Sequence, residues 1–222
     1  MGAAMNPALS DLPKRVRRRK RAGGDYRQAL VDFIRANARP PDKFSHQPRV
    51  YALAKELARG VACDDDVIFA AVWLHDLGVF VGRRPESPAA LAAWDSVAYA
   101  CREAPKALRR FGFPREKIPA VLEVIRSHLP SSRPLSAEGW VVRDADILDQ
   151  LGAVGILRTV SKVGRDTRFI RFSDALAYLS RRAEQLPTLL HSAAARRLAR
   201  PRIRVLKAFL AAAKAEAGGI EW

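Results

Sequence analysis

The chain has 222 residues, 49% of them apolar, and a formal net charge of +16. That length is enough for one sizeable core or two small ones, and that apolar share excludes a wholly disordered chain. No apolar run reaches the ~18–20 residues needed to span a bilayer, and the N-terminus has no apolar stretch between its charges and a cleavage site. Asn6 breaks the myristoylation pattern. A cytoplasmic protein, off the membrane, is the expectation. Cys63 and Cys101 form no C-x-x-C motif and are expected to be small buried hydrophobes in a reducing compartment.

In chain order, residues 1–24 come first as a basic, flexible tail. Lys14, Arg15, Arg17, Arg18, Arg19, Lys20 and Arg21 face one acid, Asp11. Such a block is usually solvated, although it can neutralise nucleic-acid phosphates. No aromatic residue is interleaved with it, so a plain tail is favoured over a nucleic-acid arm. From Asp25 the pattern is helical almost throughout. DYRQALVDFIRANAR carries Leu30, Val31, Phe33 and Ile34 at helical spacing and stops at Pro40-Pro41. FSHQPRVYALAKELARG places Val50, Leu53, Ala54 and Leu57 on one face and closes at Gly60. DDDVIFAAVWLHDLG opens with an acidic first turn and is expected to run to Gly78.

Ser87-Pro88 starts the next helix, expected to break near Pro105 and end at Gly112. PREKIPAVLEVIRSH is a short helix before Pro130, and SSRPLSAEG is a loop. Residues 140–164 read as one long apolar helix with Leu151, Val154 and Leu157 facing the core. Helices over 173–186 and 188–215 complete the chain. No sustained period-2 alternation and no repeat is visible. The expectation is an all-α fold, with one helical bundle over 25–218.

The sequence has four histidines, at 46, 75, 128 and 191. The first three lie at helix ends or breaks in apolar company. A lone histidine in such a place is more often a hydrogen-bonded core residue, but several together with aspartates shift the balance toward a site. His75 and Asp76 are neighbours, about 100° apart on a helix, and can meet one cation only near the helix end. The partial negative charge of a helix C-terminus favours that cation. Asp144, Asp146 and Asp149 interrupt an apolar helix; a buried carboxylate needs a cation or several donors. Asp146 could alternatively cap, or pair with Arg143 or Arg158.

His46, then His75-Asp76, then Asp146 within DADIL resembles the H…HD…D order of the HD superfamily of metal-dependent phosphohydrolases. SHQPRVYALAKELA, AAVWLHDLG and VIRSH resemble its His-bearing helices. VVRDADILDQLGAVGILRT is similar to the QDADRLDALGAIGIAR stretch of a bacterial branch. The likeness covers about residues 26–215. It implies a single HD-domain helical bundle in which His46, His75, Asp76 and Asp146 hold one divalent metal ion. Nitrogen and oxygen ligands without thiolate fit Mn²⁺, Mg²⁺, Fe, Co²⁺, Ni²⁺ or Zn²⁺ alike. The metal would activate a water for hydrolysis, with Asp76 and His128 as the catalytic residues. His128 would serve as proton donor, phosphate contact or ligand to a second ion. Arg143, Lys162, Arg165 and Arg168 would hold the phosphates of a small phosphorylated, nucleotide-like metabolite. His191 is expected to be structural.

The chain departs from related branches in two places. Asp42-Lys43 stands where another His-Asp pair is common, and Leu77-Gly78-Val79-Phe80 supplies no carboxylate after the HD pair. The alternatives to a phosphohydrolase are therefore a non-catalytic or regulatory HD ligand-binding protein and, less favoured, a redox-metal HD oxygenase.

Overall fold

A computed structural model describes residues 25–218, and the basic segment 1–24 lies outside the described residues. Ten α-helices follow one another: α1 Tyr26–Asn37, α2 His46–Leu57, α3 Asp65–Leu74, α4 Pro88–Ala92, α5 Ser96–Arg110, α6 Ile118–Ser127, α7 Ala137–Asp149, α8 Gly152–Val160, α9 Phe172–Leu189 and α10 Ala193–Glu216. Among the described residues there is no β-strand, only two isolated bridges, Val81–Arg84 and Asp166–Phe169. The fold is all-α.

α3 is the axis of the bundle. Every residue from Val67 to Leu74 is buried, as an all-round apolar helix requires. It packs against α1, α2, α5, α6 and α7. The Asp64 carboxylate caps its N-terminus by accepting from the backbone N–H of Asp66 and Val67. Its acidic first turn is braced from both sides. Asp66 accepts from Tyr26 and Arg27 of α1 and from Lys117 before α6, and Arg27 also reaches Asp65. A second layer forms where α10 crosses α7, α8 and α9.

Four boundaries differ from the sequence expectation. α3 ends at Leu74, not Gly78, and a 3-10 turn spans Leu77–Val79. The expected break at Pro105 falls instead at 93–95, where the Asp95 side chain caps α5, and Pro105 sits inside that helix. The proline removes one backbone donor, but buried Ala100, Ala104, Ala107 and Leu108 anchor the turns on either side, so packing outweighs the lost bond. The single helix expected over 140–164 starts earlier, capped by Ser136, and breaks at Gln150-Leu151. Gly152 has φ +71° there, in the left-handed region that favours glycine. The break resets the helical phase. Leu151 is buried, while Val154 and Leu157, expected in the core, are 36% and 70% exposed. Last, Pro187 lies within α9 and the corner to α10 is Leu190–Ser192, with Ser192 as the cap.

Candidate metal centre

Three helix ends and one helix face converge on a single point. His46 opens α2, His75 caps the C-terminus of α3, His128 caps the C-terminus of α6, and Asp146 and Asp149 lie one turn apart on α7. Because α3 stops at Leu74, Asp76 has left the helix (φ −94°, ψ 11°). Neighbouring His75 and Asp76 side chains can therefore turn to the same place. Three histidines and Asp146 are buried and Asp76 is partly so.

The donor atoms crowd together. His46 Nε2 is 3.2 Å from His75 Nε2, 3.3 Å from Asp146 Oδ1 and 3.5 Å from Asp76 Oδ2. His75 Nε2 is 3.7 Å from Asp76 Oδ1. One ligand atom each from His46, His75 and Asp146 lie within 4.8 Å of one another, and so do atoms from His75, Asp76 and His128. The His75 and His128 rings meet edge-on with centroids 4.8 Å apart.

The tautomers follow from the outer contacts. His75 Nδ1 donates to the Val72 carbonyl at 2.8 Å, and His128 Nδ1 to the Ile125 carbonyl at 2.6 Å. His46 Nδ1 donates to Asp149 Oδ2 at 2.8 Å. Each histidine thus turns Nε2 toward the cluster, the arrangement by which outer partners orient metal-binding imidazoles. Charge follows the same pattern. Burial alone would lower the pKa of His46, but the Asp146 and Asp149 carboxylates hold it up to about 9. Burial pushes His75 down to about 4. Burial would raise Asp76, but the His75 and His46 imidazoles pull it down to about 2. Asp146 is likewise held below the ordinary carboxylate range by His46, against its burial. A field that favours a proton between these groups also favours a cation there. The donor set of imidazole nitrogens and carboxylate oxygens fits a divalent ion and can hold one.

The structure brings the four ligand-type residues and His128 together, and leaves His191 outside, stacked on Trp140 at 3.9 Å. Asp146 pairs with neither Arg143 nor Arg158; its second oxygen accepts from Gln150 Nε2 at 3.0 Å. The expected phosphate set divides. Arg143 is buried and its guanidinium holds the carbonyls of Pro130 and Leu189, so it is withdrawn from that set as a clamp between loops. Arg165 donates to the Ser161 carbonyl and Arg168 is bound to Asp166. Lys162 is half-buried over the Phe169 ring. Burial, then the charges of Arg158 and Arg168, push its pKa down to about 8.

Sequence reading missed two features. Asp149 supports His46 and is itself held by Arg49 at 2.7 Å and Arg158 at 2.5 Å. The available signals were the three-residue spacings from Asp146 to Asp149 and from His46 to Arg49. Lys43 lies in the turn before His46 and is half-buried; its Nζ donates to the Val79 carbonyl just after the HD pair. Burial lowers its pKa, and it interacts electrostatically with Asp76 and Arg158. Lys43, Arg158 and Lys162 interact electrostatically with one another, and Lys43 also with Asp76.

Fold and site together define an all-helical bundle with a buried His/Asp centre at its helix ends. Residues 44–151 match the HD domain family, so this stretch of the chain is an HD domain. Solved structures share the fold. YpgQ from Bacillus subtilis is 24% identical with a TM-score of 0.70, over 88% of this chain and 97% of that one; another structure of it is a complex with ADP, at 23% identity and TM-score 0.69. An HD-superfamily hydrolase from Bacillus thuringiensis is 22% identical, TM-score 0.64, over 87% and 97% of the two chains. A predicted HD-superfamily hydrolase from an uncultured Thermotogales bacterium is 25% identical, TM-score 0.59, over 85% and 91%. No curated protein matches the sequence. No helix among the described residues is long and apolar enough to cross a membrane.

Proposed function

We propose that the protein is a metal-dependent phosphohydrolase acting on a phosphate ester or anhydride of a nucleotide-like metabolite, with His46, His75, Asp76 and Asp146 as ligands of one divalent ion. The convergence of three outward-locked imidazoles on two ionised carboxylates carries this reading. The ADP complex of the B. subtilis relative supports a nucleotide-like ligand. A divalent ion held there would lower the pKa of a bound water and polarise a phosphoryl oxygen.

The chain's own residues do the rest. Lys43 and Lys162 hold phosphate oxygens, with Arg168 at the rim once it exchanges Asp166 for the substrate. Asp76 orients the attacking water. His128, its Nδ1 committed to Ile125, takes a proton on Nε2 and returns it to the leaving oxygen. Leu77, Gly78 and Phe80 are buried, so no acid after the HD pair shares that task. The same packed turn favours a second reading, ligand binding without turnover.

The test is metal analysis of the purified protein followed by a phosphatase and nucleotide panel. Bound metal and metal-dependent release of phosphate or pyrophosphate are expected, with His75→Ala and Asp146→Asn abolishing both. Unchanged turnover in these variants would end the proposal. A ligand-induced rise in melting temperature without product would favour the binding reading.

A further inference from the structure

α10 carries seven Lys or Arg residues and one acid, Glu216, over 24 residues. Six of the seven share a face. At 3.6 residues per turn, Arg196, Arg197, Arg200, Arg204, Lys207 and Lys214 fall within an arc of about 100° and run for about 27 Å along the axis. All six are exposed, and none takes part in an ion pair among the described residues. The opposite side of the helix, at Ala195, Ala199 and Leu206, is buried where α10 packs on α7, α8 and α9. The stripe is thus a rigid row of cations with no acidic partner. Charge of one sign held at regular spacing destabilises the molecule unless a polyanion answers it.

We infer that this face of α10 is a docking surface for the phosphate backbone of duplex nucleic acid. The surface selects among polyanions. It presents no aromatic side chain for base stacking: Phe209, the helix's aromatic, packs against the core. Single strands are therefore disfavoured. The other exposed positions within the arc are Ala193, Ala211 and Ala215, so the stripe carries no large apolar side chain to insert into a lipid surface. A straight row of guanidinium and ammonium groups suits sequence-independent contact with a stiff, regularly charged duplex.

The experiment uses the full chain and a labelled 20-base-pair duplex of mixed sequence, followed by anisotropy from 50 to 200 mM salt. EDTA and excess ADP keep the metal centre out of the signal. Affinity is expected to fall by about 10³-fold across that range if all six cations contact phosphate. The variant R200Q/R204Q/K207Q is expected to bind more weakly and to flatten the slope of log K against log salt by about 3. R200K/R204K is expected to keep the slope. Should the triple variant unfold, R200Q and K207Q singly carry the same test, at about 1 each. An unchanged slope in the neutralised variants overturns the inference. So does binding that vanishes on deleting residues 1–22 while the α10 variants have no effect, or binding to phosphatidylserine vesicles but not to the duplex.

Discussion

His46, His75 and His128 share one arrangement: each Nδ1 is tied to a fixed acceptor and each Nε2 is left for the centre. Two of those acceptors are carbonyls three residues back along the same helix, which any helix end supplies. The third is Asp149, which comes from 103 residues away and is itself fixed by Arg49 and Arg158. Asp149→Asn is expected to lower metal affinity about 10–100-fold, the usual cost of losing an orienting partner. Isothermal titration with Mn²⁺ or Co²⁺ measures it, and an unchanged affinity would remove Asp149 from the site. The cluster proposed to hold the ion was legible in sequence because His75-Asp76 and Asp146 break apolar runs. Asp149, Arg49 and Arg158 were not, because their roles exist only once α2, α7 and α8 are in contact. Arg143 misled for the converse reason: a cation near the motif reads as a phosphate ligand until two buried carbonyls are seen to take it.

Helix α3 illustrates how an element serves both core and site. Its apolar body fixes the HD pair, and its acidic first turn ties α1 to the turn before α6. The Lys117 ammonium, the Tyr26 hydroxyl and the Arg27 guanidinium hold the Asp66 carboxyl well below the usual carboxylate range. A folded-state pKa below the unfolded one adds stability that is present above about pH 4 and lost as pH falls through the folded value. The melting temperature of Asp66→Asn is therefore expected to lie below wild type at pH 7 and to converge on it toward pH 2. Parallel curves across that range would show that Asp66 contributes no linked stability. At this scale the helices were readable from periodicity, while two breaks were not. Pro105 is carried by packing, and the Gly152 corner is imposed by the turn from α7 into α8. The expectation that Leu157 is buried failed with that corner.

At the scale of the molecule, the centre joins segments from α2, α3, α6 and α7, so a bound ion acts on the whole bundle. At a free metal concentration 100 times Kd it adds about 2.7 kcal/mol to folding. EDTA is expected to lower the melting temperature of the wild-type protein and to leave that of His75→Ala unchanged; equal shifts in both would mean the chelator acts elsewhere. The all-α class and the single bundle were evident from the absence of period-2 alternation. The basic stripe of α10 was hidden within the total charge, since only the buried positions of that helix reveal which of its cations share the open face.

The turn that carries the HD pair and the basic loop after α8 differ in how they would respond to change. On the α3 side, residues 67–74 are enclosed by five helices, and a Cβ on Gly78 would lie 2.3 Å from the Ser96 carbonyl oxygen. By contrast, the loop bearing Lys162, Arg165 and Arg168 is mostly open to solvent, with Phe169 as its buried anchor. Libraries randomised over 70–80 should therefore return mainly unfolded chains. Libraries randomised over 161–168 should return folded chains that differ in what they accept, because loops on a fixed scaffold tolerate exchange. Freedom to change without unfolding therefore lies in this loop and not in the motif by which the chain is recognised.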